Sequence, residues 1–559
     1  MKKIAKLLVL MALLTFAFMV SVSATDVGNI TEFMAALDDG ETIINLTADI
    51  TLTGDITIPK AKTITSTNGT QVLNVEDYTI NAGAALTFTN IEINGSSGSY
   101  LYGNGNKITF GTGVTTTGTY CFQIIYGGSE NNEVTSTNIE IQSGTVGSVY
   151  GGGLNESATV ANTYVTVSGG TITSSVYGGG QTGSVTGATN VTVSGGTVGS
   201  VYGGGLNESA TVANTYVTVS DGTVGSVFGG GVFGSVDGNT NITISGDAEI
   251  NIVYGGGLNT DATVTNTNVT IIGGEVGSVY GGGNSGSVTG DTNVTIIGGE
   301  VGSVYGGGNY GSVTGDTNIT ISGGEIQYDV YGGAYDSATV TNTNIEISGG
   351  TINSSVYGGG NSGSVTGDTN ITIIGGEVGS VIGGGGNYNS ATVTNTNIEI
   401  SGGTINGSVY GGVIGKVTNN SKITYKGGDI GFGMIQKGNA DIATGYYDAP
   451  EKGTGCEKFE AYYNLTAGTL IYLGEEEQGE EEGEEEQGGN DEKSLWDTIL
   501  DAILYFPKLL LKGFNCIWNW IQSLFNSNPI AYGNFKDIAA VDYNAGVDYV
   551  KDLISQYNP

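Results

Sequence analysis

Tyrosines recur at one position of a repeated word, Val-Tyr-Gly-Gly-Gly, along the middle of this chain: Tyr150, Tyr177, Tyr202, Tyr254, Tyr280, Tyr305, Tyr331 and Tyr357. A row of such rings offers apolar faces with polar tips, the combination on which sugar rings stack. Rings at a fixed period can equally stack on one another and stabilise a corner of the repeat. Both readings are open, and this column is the candidate ligand-binding surface.

Two acidic columns share the period. Asn162, Asn214, Asn239, Asn266, Asp291, Asp316, Asn342, Asp368 and Asn395 fall two residues before one strand of each repeat. Stacked amides form hydrogen-bonded ladders, whereas Asp291 and Asp316 on adjacent repeats offer oxygen ligands of the kind calcium takes. Glu249, Glu275, Glu300 and Glu325 make the second column. Like charges on neighbouring strands repel, so either solvent and salt screen them or a divalent ion bridges them, with Glu275 and Glu300 as its carboxylates. No cofactor is expected, and calcium is the one ion these columns could hold. Many Asn-x-Thr sequons, such as Asn268-Val269-Thr270, lie on the same repeats; at one per repeat they are read first as ladder chemistry.

A different chemistry sits near the C-terminus. Residues 494–559 hold Trp496, Trp518, Trp520 and Ile521 on a wide apolar face, with polar residues stepping by three or four from Asp497 to Asn526. Such a pattern reads as an amphipathic helix that lies in a membrane interface or packs in a helical bundle. Those four side chains are the expected membrane or partner contacts.

The elements that position the columns follow from the period. Val134, Val160, Val185, Val212, Val236, Val264 and Val288 keep the same spacing as the tyrosines, about 26 residues. In Asn293-Val294-Thr295-Ile296 the apolar residues alternate with polar ones, as in a strand with one buried face. Three such short segments per repeat, separated by Gly and Asn turns, describe one coil of a solenoid. A β-propeller blade needs four strands and about 40 residues. The Gly281-Gly282-Gly283 corner is expected to supply positive backbone angles. One coil cannot bury its own aliphatic face; stacking at about 4.8 Å lets each cover the next. Asn29 reads as the N-cap of a helix with Ile30, Phe33, Met34 and Leu37 on its apolar face and Gly40 at its end, covering the open first coil.

The organisation expected is a signal peptide at 1–24, a cap helix with irregular coils at 25–135, regular Gly-rich coils at 136–432, a C-terminal cap of the rod at 433–474, an acidic linker at 475–493 and the amphipathic segment at 494–559. Lys2, Lys3 and Lys6 precede an apolar run, and Val22-Ser23-Ala24 ends in small residues, so export is expected. The fold class is all-β, a right-handed parallel β-helix with three short strands per coil and a small helical segment at the C-terminus.

Charge excludes one partner class. The chain has 54 Asp and Glu against 17 Lys and no Arg or His, a net charge of -37, and no basic residue between Lys107 and Lys416. Nucleic acid binding needs cations to neutralise phosphate.

The cap helix, opening strands and Gly-rich coils resemble right-handed parallel β-helix proteins of the pectin-lyase-like superfamily over roughly residues 28–470. The monotonous coils resemble adhesin-like surface proteins. That resemblance implies a secreted or cell-surface protein with an adhesive or structural role, meeting extracellular glycans or cell-surface components along the rod. It also implies two rivals, a polysaccharide lyase or hydrolase and a scaffold that binds nothing. Enzymes of this fold that cut acidic polysaccharides resemble one another in pairing acidic clusters with Arg, Lys or His. The coils lack those cations, so no catalytic residue carries over and no enzyme is expected.

Overall fold

The computed structural model describes residues 24–386, 391–412 and 416–430, and the short strands at 435–436, 442–447 and 470–472. The acidic linker and the 494–559 segment, with Trp496, Trp518, Trp520 and Ile521, lie outside the described residues, as does nearly all of the 1–24 leader.

Strand β1 (Ala24–Val27) pairs in parallel with β2 (Ile43–Leu46), and helix α1 (Ile30–Asp38) crosses between them. Asn29 Oδ1 accepts from Glu32 N at 3.0 Å in the first turn, and Glu32 Oε2 reaches back to accept from Gly28 N, just before the cap, at 2.7 Å. Phe33, Ala36 and Leu37 are buried on the first coil, but Met34 is 41 % exposed. The buried stripe centres on Phe33, and Met34 lies about 100° round the helix from it. Nor does Gly40 end the helix with a left-handed turn, for its φ is not positive. Lysines from the next coil do that work. Lys60 Nζ donates to Asp38 O, while Lys62 Nζ donates to Glu41 O at 2.5 Å and pairs with Asp39 Oδ1 at 2.7 Å. Lys62 has a fully buried side chain, and its hydrogen bond, followed by that of Thr25, holds the Asp39 carboxyl below the usual range. The cap is thereby tied to the rod at both helix ends.

From there the chain winds as a parallel β-solenoid, the expected all-β architecture. In the coil around residue 280 the walls are Glu275–Tyr280, a one-residue bridge at Val288, and Thr292–Ile296. Val269, Ile271, Val276 and Val279 point inward and stand in register with Val294, Ile296, Val301 and Val304 of the next coil. None of the eight is more than 1 % exposed. A fully buried Val or Ile contributes roughly 1.5–3 kcal/mol, so the aliphatic columns supply most of the cohesion between coils. Parallel pairing runs past the regular array, from Asn420–Tyr425 to Ile442–Tyr447 and on to Leu470–Tyr472.

The two glycine-rich corners differ in what they ask of glycine. Positive φ falls on the second residue of the Gly-Gly pair that follows the long strand, as at Gly274 (84°), Gly299 (83°) and Gly324 (81°). The triplet after each tyrosine, expected to hold that conformation, does not. A Cβ on Gly281 would instead meet the backbone carbonyl of Gly306 and both Cβ and Oγ1 of Thr292 at 3.1 Å. Glycine is needed there for space between coils.

That threonine belongs to a buried column that sequence reasoning missed. Thr163, Thr189, Thr215, Thr240, Thr267, Thr292, Thr317, Thr343 and Thr369 are all fully buried. Each donates its Oγ1 hydrogen to a glycine carbonyl of the triplet corner at 2.6–2.7 Å, Thr267 to Gly281 and Thr292 to Gly306 among them. A buried carbonyl at a corner has no strand partner on that side; the threonine column provides one in every coil.

Candidate functional site

The tyrosines form their own cluster outside the main aliphatic core, on the outer side of the corner. From Tyr102 to Tyr357 each ring stacks on the next, with centroids 4.5–5.1 Å apart; Tyr150 and Tyr177 are 4.5 Å apart and tilted by 3°. That distance is the spacing of the coils themselves, about 4.8 Å, so stacking requires no distortion of the backbone. Tyr150, Tyr177, Tyr202, Tyr254, Tyr280, Tyr305 and Tyr331 are only 2–7 % exposed, and Tyr357 at the end is half-buried. Leu154, Leu206, Val232 and Leu258, each placed just after a triplet, pack over the ladder from outside. Inside the ladder both faces of a ring belong to its neighbours. Of the two readings open for this column, the geometry is that of a self-stacked ladder.

Burial raises the pKa of the ladder hydroxyls, to about 12 at Tyr202 and Tyr305, with Tyr177 adding to the effect at Tyr202. A tyrosine whose folded pKa lies above its unfolded value near 10 stabilises the fold fully below pH 10. That contribution is lost as pH rises towards and through 12. The rod is thus expected to unfold in alkali between about pH 10 and 12, with the ladder ionising only as it melts. Tyrosinate absorbance and far-ultraviolet circular dichroism followed in one titration check this; ladder ionisation completed while the β signal is intact would contradict it.

The Asn/Asp column forms a ladder. Asn266 Nδ2 donates to Asn239 Oδ1 at 3.0 Å, Asp291 N to Asn266 Oδ1 at 2.9 Å, Asp316 N to Asp291 Oδ1 at 2.8 Å, and Asn342 Nδ2 to Asp316 Oδ1 at 2.8 Å. A carboxylate only accepts, so at the Asp291–Asp316 step the backbone amide supplies the proton. Among the described residues no group of three or more acidic, His or Cys side chains is placed to hold a metal ion. At Asp291 and Asp316 the described contacts are those of a hydrogen-bonded ladder. Glu249, Glu275, Glu300 and Glu325 stand directly opposite one another on successive coils and are exposed. Amides meet two of them from neighbouring coils, Gln327 Nε2 at Glu300 and Asn353 Nδ2 at Glu325, both at 2.9 Å.

A second amide ladder runs from Asn241 to Asn397, each Nδ2 donating to the preceding Oδ1 at 2.9–3.0 Å. The sequon nitrogen of Asn268 is one of those donors. Cys121 is buried, which pushes its thiol up to about 11.

The chain thus presents amide and carboxylate columns on the surface of the coils. Residues 24–177 match the family model described as putative pectate lyase-like adhesive domain. The matched stretch takes in α1, the irregular coils and the first regular ones, ending on Tyr177 of the ladder. No curated protein and no solved structure matches the chain. Beyond Tyr177 the solenoid continues in the same register, Tyr177 opposite Tyr202 and Thr189 opposite Thr215. No helix among the described residues is long and apolar enough to cross a membrane.

Proposed function

We propose that this chain is an exported adhesive rod that meets glycans or other surface components through its outward columns and performs no catalysis. The adhesive-domain match over residues 24–177 carries this reading. Three features support it. The coils between Lys107 and Lys416 lack every basic side chain, so they hold no cation to bind an acidic polysaccharide or to assist its cleavage. The tyrosine rings and the Asp291–Asp316 step serve the stack itself. What remains outward is a repeated polar surface, suited to many weak contacts along its length.

The purified full chain is expected to bind cells or immobilised glycans and to release no product from polygalacturonate at neutral pH, with or without calcium. Product formation that is lost on Asp291→Asn would replace the adhesive reading with the enzymatic one. Absence of binding to every cell type and glycan would leave only a scaffold.

A further inference from the structure

The residue that packs over the tyrosine ladder is Leu154, Leu206, Val232 or Leu258 in the earlier coils, with Gln181 between the first two. Further along, after Asn284, the same position is held by Asn309, Tyr335 and Asn361. These three are neighbours on successive coils: Tyr335 N donates to Gly308 O at 3.1 Å and Asn361 N to Ala334 O at 2.9 Å. One residue on, Tyr310 and Asp336 make a second short row, Asp336 N donating to Asn309 O at 3.0 Å.

Tyr335 stands nearly perpendicular to two ladder rings, 5.3 Å and 88° from Tyr305 and 6.4 Å and 81° from Tyr280. Both faces of Tyr280 and of Tyr305 are already taken by ladder neighbours. Tyr335 must therefore lay one face against their edges. Its other face turns outward, and the residue is 39 % exposed. Unlike a loose surface tyrosine, it is fixed in orientation before any ligand arrives. Tyr310 beside it is 55 % exposed.

The amides flanking this platform are incompletely satisfied. Asn309 interacts with Tyr254 and Asn361 with Tyr305, yet the side-chain oxygen of each is buried and accepts no hydrogen bond. Asn361 is only 9 % exposed. A buried acceptor without a donor is destabilising, and leucine at this position elsewhere in the array carries no such group. Where a regular repeat departs from its own rules at a cost, a functional site is the first place to look.

We propose that Tyr335, Tyr310, Asn309, Asn361 and Asp336 form a binding site for an uncharged, hydroxyl-rich saccharide. The open face of Tyr335 takes the apolar face of a sugar ring. The two amide oxygens and the Asp336 carboxylate are acceptors and so call for hydroxyl donors. With a net charge of -37 the chain repels anionic sugars. This site rests on the adhesive reading and gives it a place and a ligand class.

The test is calorimetric titration of the full chain with cellohexaose, mannohexaose and xylohexaose, with hexagalacturonate and tetramethylammonium chloride as the anionic and cationic probes. At least one neutral hexaose is expected to bind, about tenfold more weakly to Tyr335→Leu and more weakly also to Asn361→Leu. Neither variant should lower the melting temperature, because leucine already fills this position at 206 and 258. Tyr164→Asn, on another strip of the rod, should bind as the unaltered chain does. Equal binding by Tyr335→Leu, or binding of only the charged probes, would overturn the site while leaving adhesion standing. So would adhesion to cells by a chain that binds no saccharide at all.

Discussion

Replacing Gly281 by alanine should destabilise the rod by about 3 kcal/mol, at the upper end of what overpacking costs. The added Cβ would lie against the Gly306 carbonyl of the next coil and within 3.1 Å of the Thr292 side chain. Neither can yield cheaply, since the carbonyl is backbone and Thr292 is fixed by its 2.6 Å hydrogen bond to that same carbonyl. Gly54→Ala is the matched control: nothing lies within 4 Å of its Cβ position, and a change within about 0.5 kcal/mol is expected there. Urea unfolding of the two variants separates them. Equal midpoints would mean that the triplet is not held by close approach of the coils.

Tyr280→Ala should cost about 3–5 kcal/mol, as large aromatic truncations in packed sites do. The ring is stacked on Tyr254 at 4.8 Å and Tyr305 at 4.6 Å, and its edge supports Tyr335 at 6.4 Å. Shortening it opens a gap that the neighbours cannot close, because their spacing is set by the backbone pairing of the coils. Tyr280→Phe should cost less than about 1 kcal/mol, since Phe228 already sits within the ladder, 4.8 Å from Tyr202 and 4.9 Å from Tyr254. Thermal melts of both variants provide the check. A tolerated alanine would show that the aliphatic columns alone hold the coils and that the rings are decoration.

The period, the inward valines and isoleucines and the capping box at Asn29 were legible because each leaves a spacing in the sequence that only one local structure satisfies. Which glycine does which job was not. Both corners show glycine runs, and a sequence does not distinguish a residue that needs positive φ, such as Gly274, from one that needs room, such as Gly281. The buried threonines hid inside an alternating Asn-Thr-Asn pattern. Their signal was constancy: from Thr163 to Thr396 the threonine never changes, while the next position varies between Asn and Tyr. For the tyrosine column the deciding quantity was the coil spacing, which coincides with the stacking distance of two rings and so favours self-stacking. Tyr335 escaped notice because it lies in the roofing column rather than in the tyrosine column, and its meaning depends on which face of which ring is covered.

The central claim is that each coil is held by its two neighbours alone, so that the rod is a sum of equivalent layers. Thermal unfolding of a full chain lacking residues 281–305 tests it most directly. Tyr280 and Tyr305 are register partners, so the deletion joins Tyr280 to Gly306 in the register that Gly281 held. The shortened chain should keep its β-type circular dichroism and melt cooperatively within a few degrees of the full one. Loss of the β signal, or a melting temperature far below that of the full chain, would contradict the layered account.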